Sequence, residues 1–136
     1  MRLSLALSLA LLCGVMVSPG AAIAADRYTC KMIEKLLAAT DKGLADTAAG
    51  KADRQPASGI ATYAREARSM ADKSSTRDPL PDAVAAALSA MADAAASHYF
   101  IAAAGPLLLE QGLIIQKHMP QICPQAEVPD LERHVN

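Results

Sequence analysis

The side chains of this 136-residue sequence that are best suited to chemistry are histidines and methionines at helical spacing. On a helical wheel, His118 falls in the same sector as Leu107 and Ile114. His98 lies on a second stripe with Met91, two turns earlier. Imidazole and thioether groups that face the inside of a helical bundle can ligate a transition metal or haem. His118, His98 and Met91 are therefore candidate ligands.

Met32 is a further candidate, and it pairs with His118 better than His98 does. Met32 stands near the start of the first predicted helix and His118 near the end of the last, so an antiparallel bundle brings both to one end. His98 and His118 would lie more than about 10 Å apart. The Met32 and His118 arrangement resembles the Met/His haem ligation of the soluble periplasmic b-type four-helix cytochromes in chain size, export and helix count, which implies a haem site. The alternative is that the histidines hydrogen-bond to backbone or water at the bundle ends.

The sequence contains none of the common catalytic or cofactor motifs. It has no glycine-rich phosphate loop, no Gly-x-Ser-x-Gly elbow, no His-Glu-x-x-His pair and no C-x-x-C-H haem attachment site. The acidic residues are spread along predicted exposed helix faces, and the formal net charge is −1 with no basic cluster. We therefore expect a protein that is not an enzyme, has no required cofactor and binds no nucleic acid.

Tyr99 and Phe100 follow His98 in a segment otherwise rich in alanine. Their bulk can fill the end of a bundle that is built from small residues, where the hydroxyl of Tyr99 reaches solvent. If Phe100 is instead exposed beside Leu107 and Leu108, that end of the bundle carries an apolar patch suited to a partner. Tyr99, Phe100, Leu107 and Leu108 are therefore the candidate interaction patch.

Residues 1–25 have the pattern of a cleaved signal peptide. Arg2 precedes an apolar stretch over residues 3–17, a Ser-Pro-Gly break follows, and Ala22 and Ala24 occupy the small positions that a signal peptidase requires. Cleavage after Ala24 or Ala25 would leave a helical domain over residues 26–123 and a C-terminal tail over residues 124–136, extended or mobile. The apolar stretch is shorter than the roughly 20 residues that span a bilayer. The sequence thus predicts a periplasmic or secreted protein with no stable membrane span.

Cys30 and Cys123 are the cysteines that remain after this cleavage. In an exported protein such a pair predicts a disulfide. A thiolate metal site would instead require a C-x-x-C pair or histidines close in sequence, and the sequence has neither. Because a disulfide needs α-carbons within about 7 Å of each other, the pairing also constrains the path of the chain.

Hydrophobic periodicity predicts four helices and no strand. The first runs from residue 27 to the mid-40s, the second starts at Ser58, the third follows Pro81, and the fourth runs from Pro106 to Pro120. Gly105 and Pro106 form either a kink in one long helix or the reversal between the third and fourth helices. Only a reversal brings the two cysteines together. We therefore predict an all-α, up-down-up-down antiparallel four-helix bundle that is closed by one disulfide.

These features favour a function in binding rather than catalysis. We expect a protein-interaction module, such as an inhibitor, immunity factor, chaperone or accessory subunit, whose partner is another exported or envelope protein. A bundle that binds a small ligand, haem or a metal is the alternative.

Overall fold

The computed structural model describes residues 25–51, 56–73, 80–98 and 100–135. They form four α-helices and one turn of 3-10 helix. The helices are α1 (Arg27–Ala48), α2 (Ser58–Lys73), α3 (Asp82–Ser97) and α4 (Ile101–Ile122), and the 3-10 turn is Leu131–His134. Each helix packs against its neighbours in the chain, and α4 closes the bundle against α1. The predicted all-α four-helix fold is confirmed. The predicted signal peptide, apart from Ala25, lies outside the described residues.

Helix α1 has a capped start and one fully buried face. The carboxylate of Asp26 accepts hydrogen bonds from the amides of Tyr28 and Thr29 at 2.9 and 3.0 Å. These bonds satisfy two of the amides that have no partner within the helix. Further along, Ile33 and Leu37 recur at helical spacing and are completely inaccessible to solvent. The spacing of apolar residues in the sequence therefore defines the face of α1 that enters the core.

Helices α2 and α3 build their share of the core mainly from alanine. Alanine forms helices readily but covers little area, so helices that meet through it approach closely. The larger buried side chains are Ile60 of α2 and Val84, Leu88 and Met91 of α3, as their spacing predicted. The buried alanines of these two helices are Ala61, Ala64, Ala67, Ala71, Ala87, Ala92, Ala94 and Ala95.

The chain reverses earlier than Gly105 and Pro106, so that expectation was wrong. Helix α3 ends at Ser97 and α4 begins at Ile101, which places both Gly105 and Pro106 inside α4. The reason lies in a contact across the bundle. Ile101 is 3% exposed, and a Cβ atom on Gly43 of α1 would stand 2.9 Å from its Cδ1 atom. Because α4 and not α3 packs against α1, Ile101 reaches Gly43 only as part of α4.

Both prolines of α4 lie near its ends. Pro106 falls in the second turn, and α4 continues past Pro120 to Ile122. Only the amides of the first turn of a helix lack an acceptor within it, so each of these prolines costs α4 one hydrogen bond. Burial of Ile122, which is 1% exposed, favours the final turn. The predicted stop at Pro120 is therefore two residues too early.

The disulfide between Cys30 and Cys123 is present. Their α-carbons are 5.7 Å apart across a sequence separation of 93 residues. At the same place, the amide of Ala25 donates to the carbonyl of Ile122 at 2.7 Å. The start of α1 and the end of α4 are thus joined covalently and by the backbone. A disulfide fits an oxidising compartment of the kind that exported proteins enter.

Candidate functional site

The candidate ligands differ in burial and in their level along the bundle. Met91 is fully buried, and its Cε atom lies 3.9 Å from the position that a Cβ atom on Gly112 would occupy. Met32 is partly buried and packs against the core. His118 lies six residues after Gly112 on α4, which corresponds to a rise of about 9 Å along the helix. Among the described residues, no three His, Cys, Asp or Glu side chains are placed to share a metal ion.

His118 hydrogen-bonds within its own helix. Its Nδ1 atom lies 2.9 Å from the carbonyl oxygen of Ile114, one turn earlier. Since a carbonyl oxygen only accepts, Nδ1 is the donor in this contact, and in the tautomer that has its proton on Nδ1 the lone pair is on Nε2. The contact matches the expectation that a bundle histidine bonds to backbone, and it also leaves one nitrogen free to act as an acceptor or ligand.

Two members of the candidate interaction patch are exposed and one is not. Phe100 is 36% exposed and Leu107 is 43% exposed, whereas Leu108 is fully buried. Neighbouring residues on a helix point about 100° apart, so Leu107 faces outward while Leu108 enters the core. Leu108 therefore does not belong to the surface, contrary to our expectation. Tyr99 lies outside the described residues.

A groove runs between α3 and α4 beside Leu107. Its cavity has a volume of about 320 Å³. The alanines at positions 90 and 94 form its α3 side, and His98 lies at the end where α3 stops. We call this feature the α3–α4 groove, and its lining residues are Ala90, Asp93, Ala94, Ser97, His98, Leu107 and Gln111.

The α3–α4 groove has an apolar wall with few polar groups at its edge. Small side chains on α3 leave space, and Leu107 on α4 offers apolar surface beside that space. Asp93 supplies the only carboxylate of the lining and His98 the only imidazole. An opening of this size accommodates one or two apolar side chains of a partner. The groove thus brings His98 and Leu107, predicted for two different roles, into one feature.

A group of charged residues that sequence reasoning did not find ties the C-terminal turn to α1. The Nη2 atom of Arg133 donates to both carboxylate oxygens of Asp41 at 2.9 Å, and its Nε atom donates at 3.1 Å. The Nε2 atom of His134 donates to the same carboxylate at 2.7 Å. Burial by itself would raise the pKa of Asp41, but the hydrogen bonds from Arg133 and His134 outweigh it and lower the pKa.

The second feature that the sequence did not reveal is the burial of the tail. We expected residues 124–136 to be extended or mobile, yet Leu131 is completely inaccessible to solvent within the Leu131–His134 turn. The sequence did not predict this burial, because a single leucine among charged residues forms no repeating pattern of apolar positions. The nearest hint in the sequence is Gly112, a glycine in the interior of a strongly apolar helix, where it lowers helix stability.

None of the helices in the described part of the chain combines the length and the apolar character needed to cross a bilayer. Comparisons with protein-family models, with curated proteins and with solved structures gave no match.

Proposed function

We propose that this protein is an exported, non-enzymatic interaction module that binds another exported or envelope protein through the α3–α4 groove. The observation that carries the proposal is the exposure of Leu107 beside an apolar cavity. A leucine with 43% of its surface in water gains free energy when a partner covers it. Phe100, which is 36% exposed, directly precedes α4 and adds a second exposed apolar side chain at the start of that helix.

The disulfide supports the cellular part of the proposal. Such bonds persist in the periplasm and outside the cell, while thiols in the cytosol are kept reduced. The pattern of residues 1–25 points the same way, because it is typical of a signal peptide. A partner that meets this protein would then share its compartment.

The decisive experiment places a photo-crosslinking amino acid at position 107 in cells that produce the protein. We expect a discrete crosslinked product, identified by mass spectrometry. The matched control is position 28, because Tyr28 is also a large exposed apolar residue, 73% accessible, but lies at the disulfide end. Equal crosslinking from both positions, or none from position 107, would contradict the proposal.

The identified partner then permits a quantitative test with purified proteins. Complete burial of a leucine is worth about 1.5 to 3 kcal/mol, so covering the exposed 43% of Leu107 is worth roughly 0.6 to 1.3 kcal/mol. Leu107→Ala should therefore weaken binding about three- to ninefold. Leu107→Asp should weaken it further, since the carboxylate loses its water in the groove. Tyr28→Asp should leave the affinity unchanged.

A haem or metal carrier is the second candidate, favoured by the free Nε2 lone pair of His118. A metal-ligating histidine typically donates its other ring nitrogen to a carbonyl, as His118 does to Ile114. The test is a visible absorption spectrum with elemental analysis, before and after addition of haem and first-row metals. A Soret band or stoichiometric metal that disappears in His118→Ala would establish the carrier function, and a colourless, metal-free protein after these additions would exclude it.

A further inference from the structure

The tail residue Leu131 occupies a depression that exists because position 112 is glycine. A Cβ atom on Gly112 would stand 2.8 Å from the Cδ1 atom of Leu131, closer than real Cβ contacts. It would also lie 3.9 Å from Leu37 Cδ2 and 3.9 Å from Met91 Cε. The space beside Gly112 is therefore filled by Leu131 of the tail and bounded by Leu37 of α1 and Met91 of α3. We call Gly112, Leu37 and Met91 the leucine socket.

Polar contacts on either side of the socket fix how the tail lies. The amide of Leu131 donates to the side-chain oxygen of Gln116 at 2.8 Å. Two residues further on, the guanidinium of Arg133 makes its bidentate contact with Asp41. The receiving groups all belong to the bundle: Gln116 is on α4 and Asp41 is on α1. The bundle thus binds the side chain and the backbone amide of Leu131 and, two residues later, the cation of Arg133.

The disulfide allows the tail to leave this position without separating α1 from α4. Cys123, directly before the tail, is bonded to Cys30, so the ends of α1 and α4 stay together whatever the tail does. The helical part of the tail is a single turn of four residues. Its ion pair to Asp41 leaves 54% of the Arg133 side chain and 19% of the Asp41 side chain in contact with water, and a pair of this kind contributes about 1 kcal/mol or less.

We infer that the leucine socket, together with Gln116 and Asp41, is a peptide-recognition site for a segment in which leucine is followed two residues later by arginine. The chain's own tail is its resident occupant. A segment of this chemistry from a partner protein binds by displacing the tail, so the tail controls access to the site. This site uses different residues from the α3–α4 groove and does not depend on the function proposed there.

The first experiment measures whether the site binds the tail sequence when it is supplied as a separate peptide. The probe is a fluorescein-labelled synthetic peptide with the sequence of residues 124–136, PQAEVPDLERHVN, and binding is followed by fluorescence anisotropy. The full chain carrying Leu131→Ala and Arg133→Ala has a tail that cannot compete. We expect it to bind the peptide at least tenfold more tightly than the wild type does, because the wild-type tail occupies the site.

A matched variant distinguishes specific binding of the peptide from non-specific binding. Gly112→Ala, added to the same two tail substitutions, fills the socket where no leucine of the tail remains to clash. It also places a better helix former in α4, so the fold is preserved. We expect this triple variant to lose at least tenfold in peptide affinity. No gain in affinity when the tail is weakened, or no loss with Gly112→Ala, would overturn the inference.

Hydrogen exchange on the wild-type chain tests the same inference without any substitution. Opening of the tail alone would let the amide of Leu131 exchange at least 100-fold faster than the amide of Ile115, which is buried in α4. Equal protection of the two amides would mean that the tail opens only when the whole domain unfolds, which would overturn the inference. If the wild type forms concentration-dependent dimers and Leu131→Ala does not, the site binds the tail of a second copy of this chain. That result would overturn the assignment of the site to a partner protein.

Discussion

Removal of the disulfide should destabilise this domain as much as the most damaging single substitutions in its core. The bond joins Cys30 to Cys123 across a separation of 93 residues. In the chain-entropy model, closing a loop of that length in the unfolded chain is worth about 4.7 kcal/mol at 25 °C. Native domains are stable by only about 5 to 15 kcal/mol in total. The reduced protein should therefore be marginally folded.

The assay is urea unfolding followed by far-UV circular dichroism, with and without a thiol reductant. The double variant Cys30→Ala and Cys123→Ala provides the matched control, because it lacks the bond and cannot respond to the reductant. Cys123 is 4% exposed and alanine is smaller, so part of any loss in the variant reflects packing. The reduced wild type isolates the effect of the bond, since both of its side chains remain.

We expect the reduced wild type and the double variant each to lose about 4 to 5 kcal/mol relative to the oxidised protein. A loss of less than about 1.5 kcal/mol in the reduced wild type would refute the reasoning. It would mean that the unfolded chain already holds its two ends close together, so that the bond removes little conformational entropy.

Two further predictions concern α1. The pKa of Asp41 is lowered in the folded state by its contact with Arg133, so the contact stabilises the protein above about pH 3.9 and is lost as the pH falls below that value. Asp41→Asn should lower the free energy of unfolding by about 1 kcal/mol at neutral pH. In urea titrations well below about pH 3.9, the variant and the wild type should have the same free energy of unfolding. Gly43→Ala should destabilise by about 1 kcal/mol or more, because its Cβ would stand 2.9 Å from Ile101, while Gly59→Ala has open space and should be neutral or stabilising in thermal melts. Equal melting temperatures for these two variants would refute the account of close packing between α1 and α4.

Parts of the candidate site followed from sequence, and parts did not. The sequence predicts exposure of Phe100 and Leu107 as one of two alternatives, because both lie in the apolar segment around the start of the last helix. The burial of Leu108 depends on the rotation of α4, which is set by its neighbours. The shift of the reversal from Gly105 to a point before Ile101 has the same origin. A glycine-proline pair marks a local weakness in a helix, and the packing of Ile101 against α1 decides whether the chain turns there.

Local chemistry along the chain was sufficient to predict several features of the fold. Helical periodicity predicted four helices and the buried stripes of α1 and α3, and the pair of cysteines predicted the bond that closes the bundle. Tertiary structure alone decided the contacts of the tail. Leu131 meets Gly112 across 19 residues of sequence and Arg133 meets Asp41 across 92. No periodic pattern spans such distances, because these contacts form only when α1 and α4 have packed side by side and left a socket between them.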